Sequence, residues 1–366
     1  MRSKLLLLLT LTVSLVAEKN WKDQQEYELY SAAVKAADPA SKLTALNTWK
    51  EKYPQTDYQQ ERLAQYLIAF EQAKDLPHML ETLYALDALN PSDAAVMKGI
   101  MLLVISPQNT DTSAAALDRA EGIAKTAVSN PTLEALAHTT LGWIAMRRKN
   151  NEAAEQEFTQ SLRREPSAQV ILWLSDTLRG QKKISEALFY AARAAVYEGP
   201  GAFPPESRKQ VEEYLRKLYK SHHGADDAGL AELKKLAAAQ PAPPEGFAIK
   251  SAQQIADEFR EQNKELTLWM DIKKELTGPE GRQYFETQMK DAEIPKLKGT
   301  VVSARLKKIM VALSNNETPE ATLVLDAPLA KPLKPGTTIE FVGIAEQFTA
   351  DPFMVTFAVS KSKLKL

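Results

Sequence analysis

Between about Asp23 and Gly199, apolar residues recur at three- and four-residue spacing with few β-branched runs, which predicts a succession of amphipathic helices. Several of these patterns end in a similar way, at Tyr53-Pro54, Asn90-Pro91, Asn130-Pro131, Glu165-Pro166 and Gly199-Pro200. The successive prolines stand 37, 40, 35 and 34 residues apart. Proline cannot continue a helix interior and fits just past a helix end, so a regular proline marks a regular terminus. A period of this length predicts an array of helix-turn-helix units. The pattern changes from about Lys296, where period-two, β-branched runs appear: GTVVSA, KIMVALS, ATLVLDA, TTIEFVGIA and FMVTFAV. Turn-rich separators (SNNETPE, KPLKPG, TADP) divide them, which predicts five short strands in a barrel or sandwich, an order compatible with an OB-like barrel.

Between these two regions, QPAPPEGF (240–247) places three prolines within four residues, which reads as a semi-rigid linker and a domain boundary. The predicted organisation is an N-terminal segment (1–17), helical repeats with charge-rich capping helices (18–239), the linker (240–247), a helical connector (248–295) and a five-stranded β-module (296–366). The fold class is therefore mainly α, an α-solenoid, plus a small all-β domain. Residues 1–17, MRSKLLLLLTLTVSLVA, set Arg2 and Lys4 ahead of an uncharged apolar run, the layout of a secretory signal peptide. That run is shorter than the ~20 residues a membrane span needs. Export to a periplasmic or extracellular space is the expectation, with an uncleaved N-terminal anchor as the alternative.

The stretch Leu141 to Pro166, LGWIAMRRKNNEAAEQEFTQSLRREP, carries a Leu-Gly pair, an Ala-x-x-x-Phe and a closing proline. It resembles a tetratricopeptide repeat. Gly142 and Ala154 are small enough for paired helices to approach, while Leu141 and Phe158 fill the space between them; Ala145 departs from the large aromatic of the family. Units with Leu63, Leu67, Phe70 and Leu83, with Leu174, Leu178 and Ala187, and with Leu43, Leu46 and Trp49 follow the same phase less closely. The resemblance covers about half of the chain. It implies that the first helices of successive units line a concave groove. Carried onto this sequence, the positions facing it include Tyr27 and Lys35, Glu61, Ile68, Glu71 and Gln72, Leu136, Thr139, Trp143, Met146 and Arg147, and Leu172, Asp176 and Arg179. An aromatic and arginines are common binding hot spots, and packing of Trp143 at a repeat junction stands equally open. The lysine and asparagine set with which some family members clamp an acidic C-terminal peptide is not present at these positions.

Composition narrows the function. The formal net charge is −1, from 46 basic and 47 acidic residues, so no global field attracts nucleic acid or an anionic membrane. Cysteine is absent, which removes disulfides, thiol catalysis, Cys-based zinc sites and a lipid-modified cysteine. The four histidines (His78, His138, His222, His223) show no HExxH or His-x-His spacing, and no P-loop or GxSxG occurs. His222-His223 near Asp226-Asp227 is the one imaginable metal cluster, and a polar helix end explains it better. No catalytic residue, cofactor or metal is expected. The β-module holds ten basic and six acidic residues, and its Phe341, Phe353 and Phe357 keep phase with apolar neighbours, which points them to a core rather than to stacked bases. The KSKLKL tail reads as a frayed, solvated end in preference to a contact with an anionic surface. The reading is an exported, non-enzymatic adaptor that binds a protein or peptide in the groove, without nucleic acid, and meets a membrane only through an uncleaved N-terminal segment. The alternative is a β-module that holds an envelope oligosaccharide or another small ligand.

Overall fold

The computed structural model describes residues 21, 23–91, 93–225, 229–315 and 317–366. The segment 1–17 and the Asp226-Asp227 pair lie outside the described residues. The chain divides between Ile249 and Lys250 into two compact units.

The first unit is a run of helix pairs: α1 (Gln24–Lys35) with α2 (Pro39–Lys52), α3 (Gln59–Ala73) with α4 (Leu76–Leu89), α5 (Ala94–Val104) with α6 (Ala114–Ala127), α7 (Glu134–Arg147) with α8 (Asn151–Arg164), and α9 (Ala168–Gly180) with α10 (Ile184–Val196). Then come α11 (Pro205–His223) and α12 (Leu230–Ala239). Each of the five prolines follows the second helix of a pair. The helix starts are written in short polar residues: Asp38, Asp75, Asp93, Ser113 and Asn150 each accept a backbone N–H of the first turn. Three of the pairs turn between their helices through a lysine in the left-handed region, Lys74 (φ 58°), Lys149 (φ 60°) and Lys182 (φ 64°). A left-handed residue past the last turn lets following N–H groups reach back to orphan carbonyls, as Asn150 N does to Ala145 O at 2.9 Å.

Packing runs from neighbour to neighbour. A Cβ on Gly142 would lie 2.6 Å from Phe158 Cδ1, so only glycine lets α7 and α8 close over that ring. Phe158 and Ala154 are fully buried in a core that continues through Leu67, Leu83, Ile100, Trp143 and Leu174. The first repeats also bury charge. Lys42 is 5 % exposed and donates to Ala33 O (2.8 Å) and Gln65 Oε1 (3.2 Å), and burial pushes its pKa down. Arg62, equally buried, lies over the Trp49 ring and donates to Tyr53 O at 2.6 Å, which staples the Tyr53-Pro54 hinge.

The proline-rich stretch does not stand free. Arg193 donates to Ala237 O (2.9 Å) and Gln240 O, Phe247 meets Phe189 edge-on, and Ile249 is held through its N–H by Ser185 Oγ (3.0 Å) and through its carbonyl by His222 Nε2 (2.8 Å). It therefore closes the end of the first unit as a strap, because its apolar residues find a face on α10 to α12.

The second unit begins with α13 (Ala252–Gln262), α14 (Lys264–Thr277), the short α15 (Gly281–Tyr284) and a π-helical turn (Phe285–Met289). Seven strands follow where five were predicted: β1 (Leu297–Ala304), β2 (Lys308–Ala312), β3 (Ala321–Leu325), β4 (Thr338–Phe341), β5 (Ile344–Ala350), β6 (Phe353–Val359) and β7 (Leu364–Lys365). The run TTIEFVGIA breaks at Val342-Gly343, so that β4 pairs with β1 and β5 with β6. A Cβ on Gly343 would lie 2.8 Å from Val359 Cγ2, which makes the crossing a glycine position. The sheet order is β5-β6-β3-β2-β1-β4-β7, with β3 and β6 parallel and the other pairs antiparallel. Since β4 and β5 lie near opposite ends of that order yet only two residues apart, the sheet must curl round to close on itself. The tail is not frayed, because Leu364-Lys365 pairs with Phe341-Glu340 and lengthens the line of β6.

From α14 on, the preceding helices form no separate connector, whereas α13 buries no residue. Trp269, Ile272 and Leu276 of α14 and Phe285 and Met289 of the π turn share one core with Val301, Ile309, Leu323, Phe341 and Phe357. Glu320, 2 % exposed just before β3, locks α14 in place by accepting from Trp269 Nε1 (3.0 Å), Leu313 N (3.1 Å), Ser314 N (2.6 Å) and the Lys273 ammonium.

Candidate protein-binding face

Among the first helices of the pairs, α1 touches α3, and α5, α7 and α9 touch in succession, while α3 reaches α5 by way of α4. The residues predicted to face the groove divide among these helices. On α1, Tyr27 is 41 % exposed and Lys35 is exposed in the last turn. On α3, Ile68, Glu71 and Gln72 are exposed and Glu61 is half-buried; burial nevertheless pushes the Glu71 carboxyl up. Helix α5 contributes no predicted residue, and its Val96, Met97, Ile100, Met101, Leu103 and Val104 are all in the core.

On α7 the prediction separates into two kinds. Trp143 is 2 % exposed and belongs to the core; Thr139 is buried too and bonds to Ser161 Oγ at 2.7 Å. Met146 is half-buried against the same core, whereas Arg147 is exposed with its guanidinium 4.8 Å from the centre of the Trp143 ring. The indole thus orients the arginine from below, and a partner would meet the cation.

On α9, Asp176 and Arg179 approach to 3.6 Å. Tyr214, from α11, donates its hydroxyl to Asp176 Oδ1 at 2.7 Å. Burial and then this hydrogen bond push the Tyr214 phenol up to about 12, so it remains a neutral donor. Sequence reasoning missed Tyr214 because α11 reads only as a charge-rich cap. Its apolar phase, Val211, Leu215 and Tyr219 inward, was the available signal, since Tyr214 stands beside that stripe rather than within it.

The face therefore offers exposed apolar groups toward α1 and α3 and a held pattern of cation, carboxylate and phenol on α7, α9 and α11. Elsewhere the histidines are engaged within the unit. His138 Nδ1 lies 2.6 Å from Glu157 Oε2 across α7 and α8, and His223 packs against Tyr219. Among the described residues no group of three His, Cys, Asp or Glu side chains is placed to hold a metal, and no helix is long and apolar enough to cross a membrane. The second unit has a polar concavity of about 370 Å³ between the end of α14 and the π turn, lined by Glu275, Glu280, Gln283, Tyr284, Thr287 and Gln288.

No protein-family model matches the chain, and no curated protein matches it. Among solved structures, a thermophilic TPR protein of Thermus thermophilus aligns with 53 % of this chain and 98 % of its own length, at 16 % identity and a TM-score of 0.34. The architecture rests on the chain's own helix pairs. The first unit is a TPR-like α-solenoid, and the chain is mainly α with a small β domain.

Proposed function

We propose that the chain is an exported, non-catalytic scaffold that holds a protein or peptide partner along the first-helix face. One observation carries this reading: after the core is filled, that face still presents oriented side chains that packing does not use. Arg147 is propped on Trp143, and Asp176 is fixed by Tyr214 beside Arg179. An arginine held in place loses less freedom on binding, which is how hot spots gain affinity. The charges of both signs favour a partner segment of mixed charge with apolar anchors for the Tyr27 and Ile68 end. Export is carried by the layout of residues 1–17 alone.

The test is a pair of charge reversals in the full chain, Arg147→Glu with Arg179→Glu, beside Lys125→Glu on the second helix α6 as control. Loss of the native partner by the first and its retention by the second is the expected result. Partner binding that survives the double reversal would remove the groove from the reading. The polar concavity of the second unit favours one other function, the capture of a small polyhydroxylated ligand by carboxylates, carboxamides and the Tyr284 ring. Thermal stabilisation of the second unit by neutral oligosaccharides, lost in Gln283→Ala, is the result that would support it.

A further inference from the structure

The closed sheet has one end of unusual character. At the β1–β2 turn, Arg305, Leu306 and Lys307 are exposed, and Lys308 opens β2 beside them. Hydrogen bonds tie this turn to its surroundings: Leu325 N donates to Lys307 O (2.9 Å) and Leu329 N to Leu306 O (2.8 Å). Lys361, past the end of β6, joins the same place, its Nζ donating to Pro328 O at 2.8 Å and its N–H to Asp326 Oδ1 at 2.9 Å. Lys331 and Lys334 are exposed in the β3–β4 connection, whose two ends are bonded to the turn and to β1. Six cations thus gather at one end, and among the described residues none is ion-paired; Lys307 and Lys361 bond only to backbone carbonyls. The one carboxylate amid them, Asp326, is already taken by Ser360 Oγ and Lys361 N. The exposed Glu317 and Asp351 sit in the β2–β3 and β5–β6 connections, at the opposite end.

An apolar row crosses the outside of the sheet next to these cations. The registers place Lys308 opposite Val324, Val324 opposite Ala358 and Ala358 opposite Ile344. Val324 and Ile344, on either side of Ala358, are each 40 % exposed, and Leu306, in the turn that leads to Lys308, is 46 % exposed. Exposed apolar groups bordered by unpaired cations on the Leu306 and Val324 side fit a surface that is hydrocarbon inside and anionic outside, while at the far end Ile344 meets Glu293, which Lys363 pairs.

We propose that this end of the second unit docks peripherally on an anionic phospholipid bilayer, with Leu306 entering the headgroup region and the six cations facing lipid phosphates. The inference is independent of the first-helix face. It locates a membrane contact that neither net charge nor the +4 balance of the β-module reveals, because the balance averages two ends of opposite character. Each lysine or arginine near an anionic surface favours binding roughly fivefold, and the attraction weakens as salt screens it.

The test is co-sedimentation of the full chain with vesicles of mixed phosphatidylglycerol and phosphatidylcholine and with vesicles of phosphatidylcholine alone. Any contribution of the apolar residues 5–17 is common to both lipids and all variants. The wild-type chain is expected to partition at least about tenfold better onto the anionic vesicles. Lys307→Glu with Lys308→Glu should bring that ratio close to one at an unchanged unfolding temperature. Lys331→Glu with Lys334→Glu, in the connection rather than at a strand start, should lower it in the same direction and guards against a folding defect in the first variant. Leu306→Trp should shift its emission to the blue on anionic vesicles only. A ratio that stays at the wild-type value in both charge-reversal variants overturns the proposal. So does equal partition of the wild type onto the two lipids, or retention by this end of a single-stranded oligonucleotide or a protein in place of anionic vesicles.

Discussion

The solenoid and the closed sheet reach buried cores by opposite routes. In the solenoid the decisive contact joins Gly142 to Phe158, sixteen residues further along, in the next helix. In the second unit Trp269 donates to Glu320, 51 residues away, and β1 must find β4 and β7 must find β4 before the sheet closes. The first kind of core is assembled pair by pair, so damage stays near its site. The second depends on distant segments arriving together, so removal of one group is felt across the unit.

The largest effect expected from breaking this contrast is Phe158→Ala, which should cost the first unit about 3–5 kcal/mol by leaving a cavity between α7 and α8. Hydrogen exchange should rise chiefly in α7 to α9, while the second unit unfolds as before. Next, Glu320→Ala should cost the second unit about 2–5 kcal/mol, since Trp269 Nε1 and two backbone N–H groups lose a buried acceptor. Here exchange should rise throughout β1 to β6 and α14 together. Local loss in Glu320→Ala, or global loss in Phe158→Ala, would reverse the comparison.

Acid sharpens it. Burial pushes the Glu320 carboxyl up, but the Lys273 ammonium, the Ser314 hydroxyl and N–H and the Trp269 indole together leave it below its ordinary 4.5. With the folded value lower than the unfolded one, its contribution is present above about pH 4.5 and fades as pH falls through the folded value. The second unit should therefore lose stability in that window, and Glu320→Gln should flatten that part of the profile. A smaller change is Tyr214→Phe, which removes the hydrogen bond to Asp176 and should cost about 1 kcal/mol while weakening the partner interaction more than the fold. Smallest is Lys149→Gly, which relieves a left-handed residue (φ 60°) and should stabilise the first unit by about 0.5–1 kcal/mol, read as a rise in its melting temperature.

The same contrast explains what the sequence could reveal. Proline spacing and Leu-Gly with Ala-x-x-x-Phe locate helix ends and close approaches, because in a repeat those constraints are local. Trp143 was ambiguous on those terms: α7 is apolar on more than one side, and only the positions of α5 and α9 make its indole a core residue. In the second unit strand runs were legible, but TTIEFVGIA gave no sign that Gly343 passes the chain from one neighbouring strand to another. The pairing of Leu364-Lys365 was hidden for a related reason, since two residues carry no period. The buried charges Lys42, Arg62 and Glu320 look like any surface charge until their distant acceptors and donors are placed around them. On the proposed binding face, sequence position named the helices, whereas the support of Arg147 by Trp143 and of Asp176 by Tyr214 depends on contacts no spacing encodes.

The central claim is that recognition uses the first-helix face. Its most direct test is site-specific photo-crosslinking in living cells, with the reactive group placed in turn at Arg147, Arg179 and, on the second helices, Lys125 and Thr159. Cross-links from Arg147 and Arg179 to one common partner, with none from Lys125 or Thr159, are the predicted result. Equal cross-linking from all four positions, or cross-linking confined to Lys125 and Thr159, would contradict it.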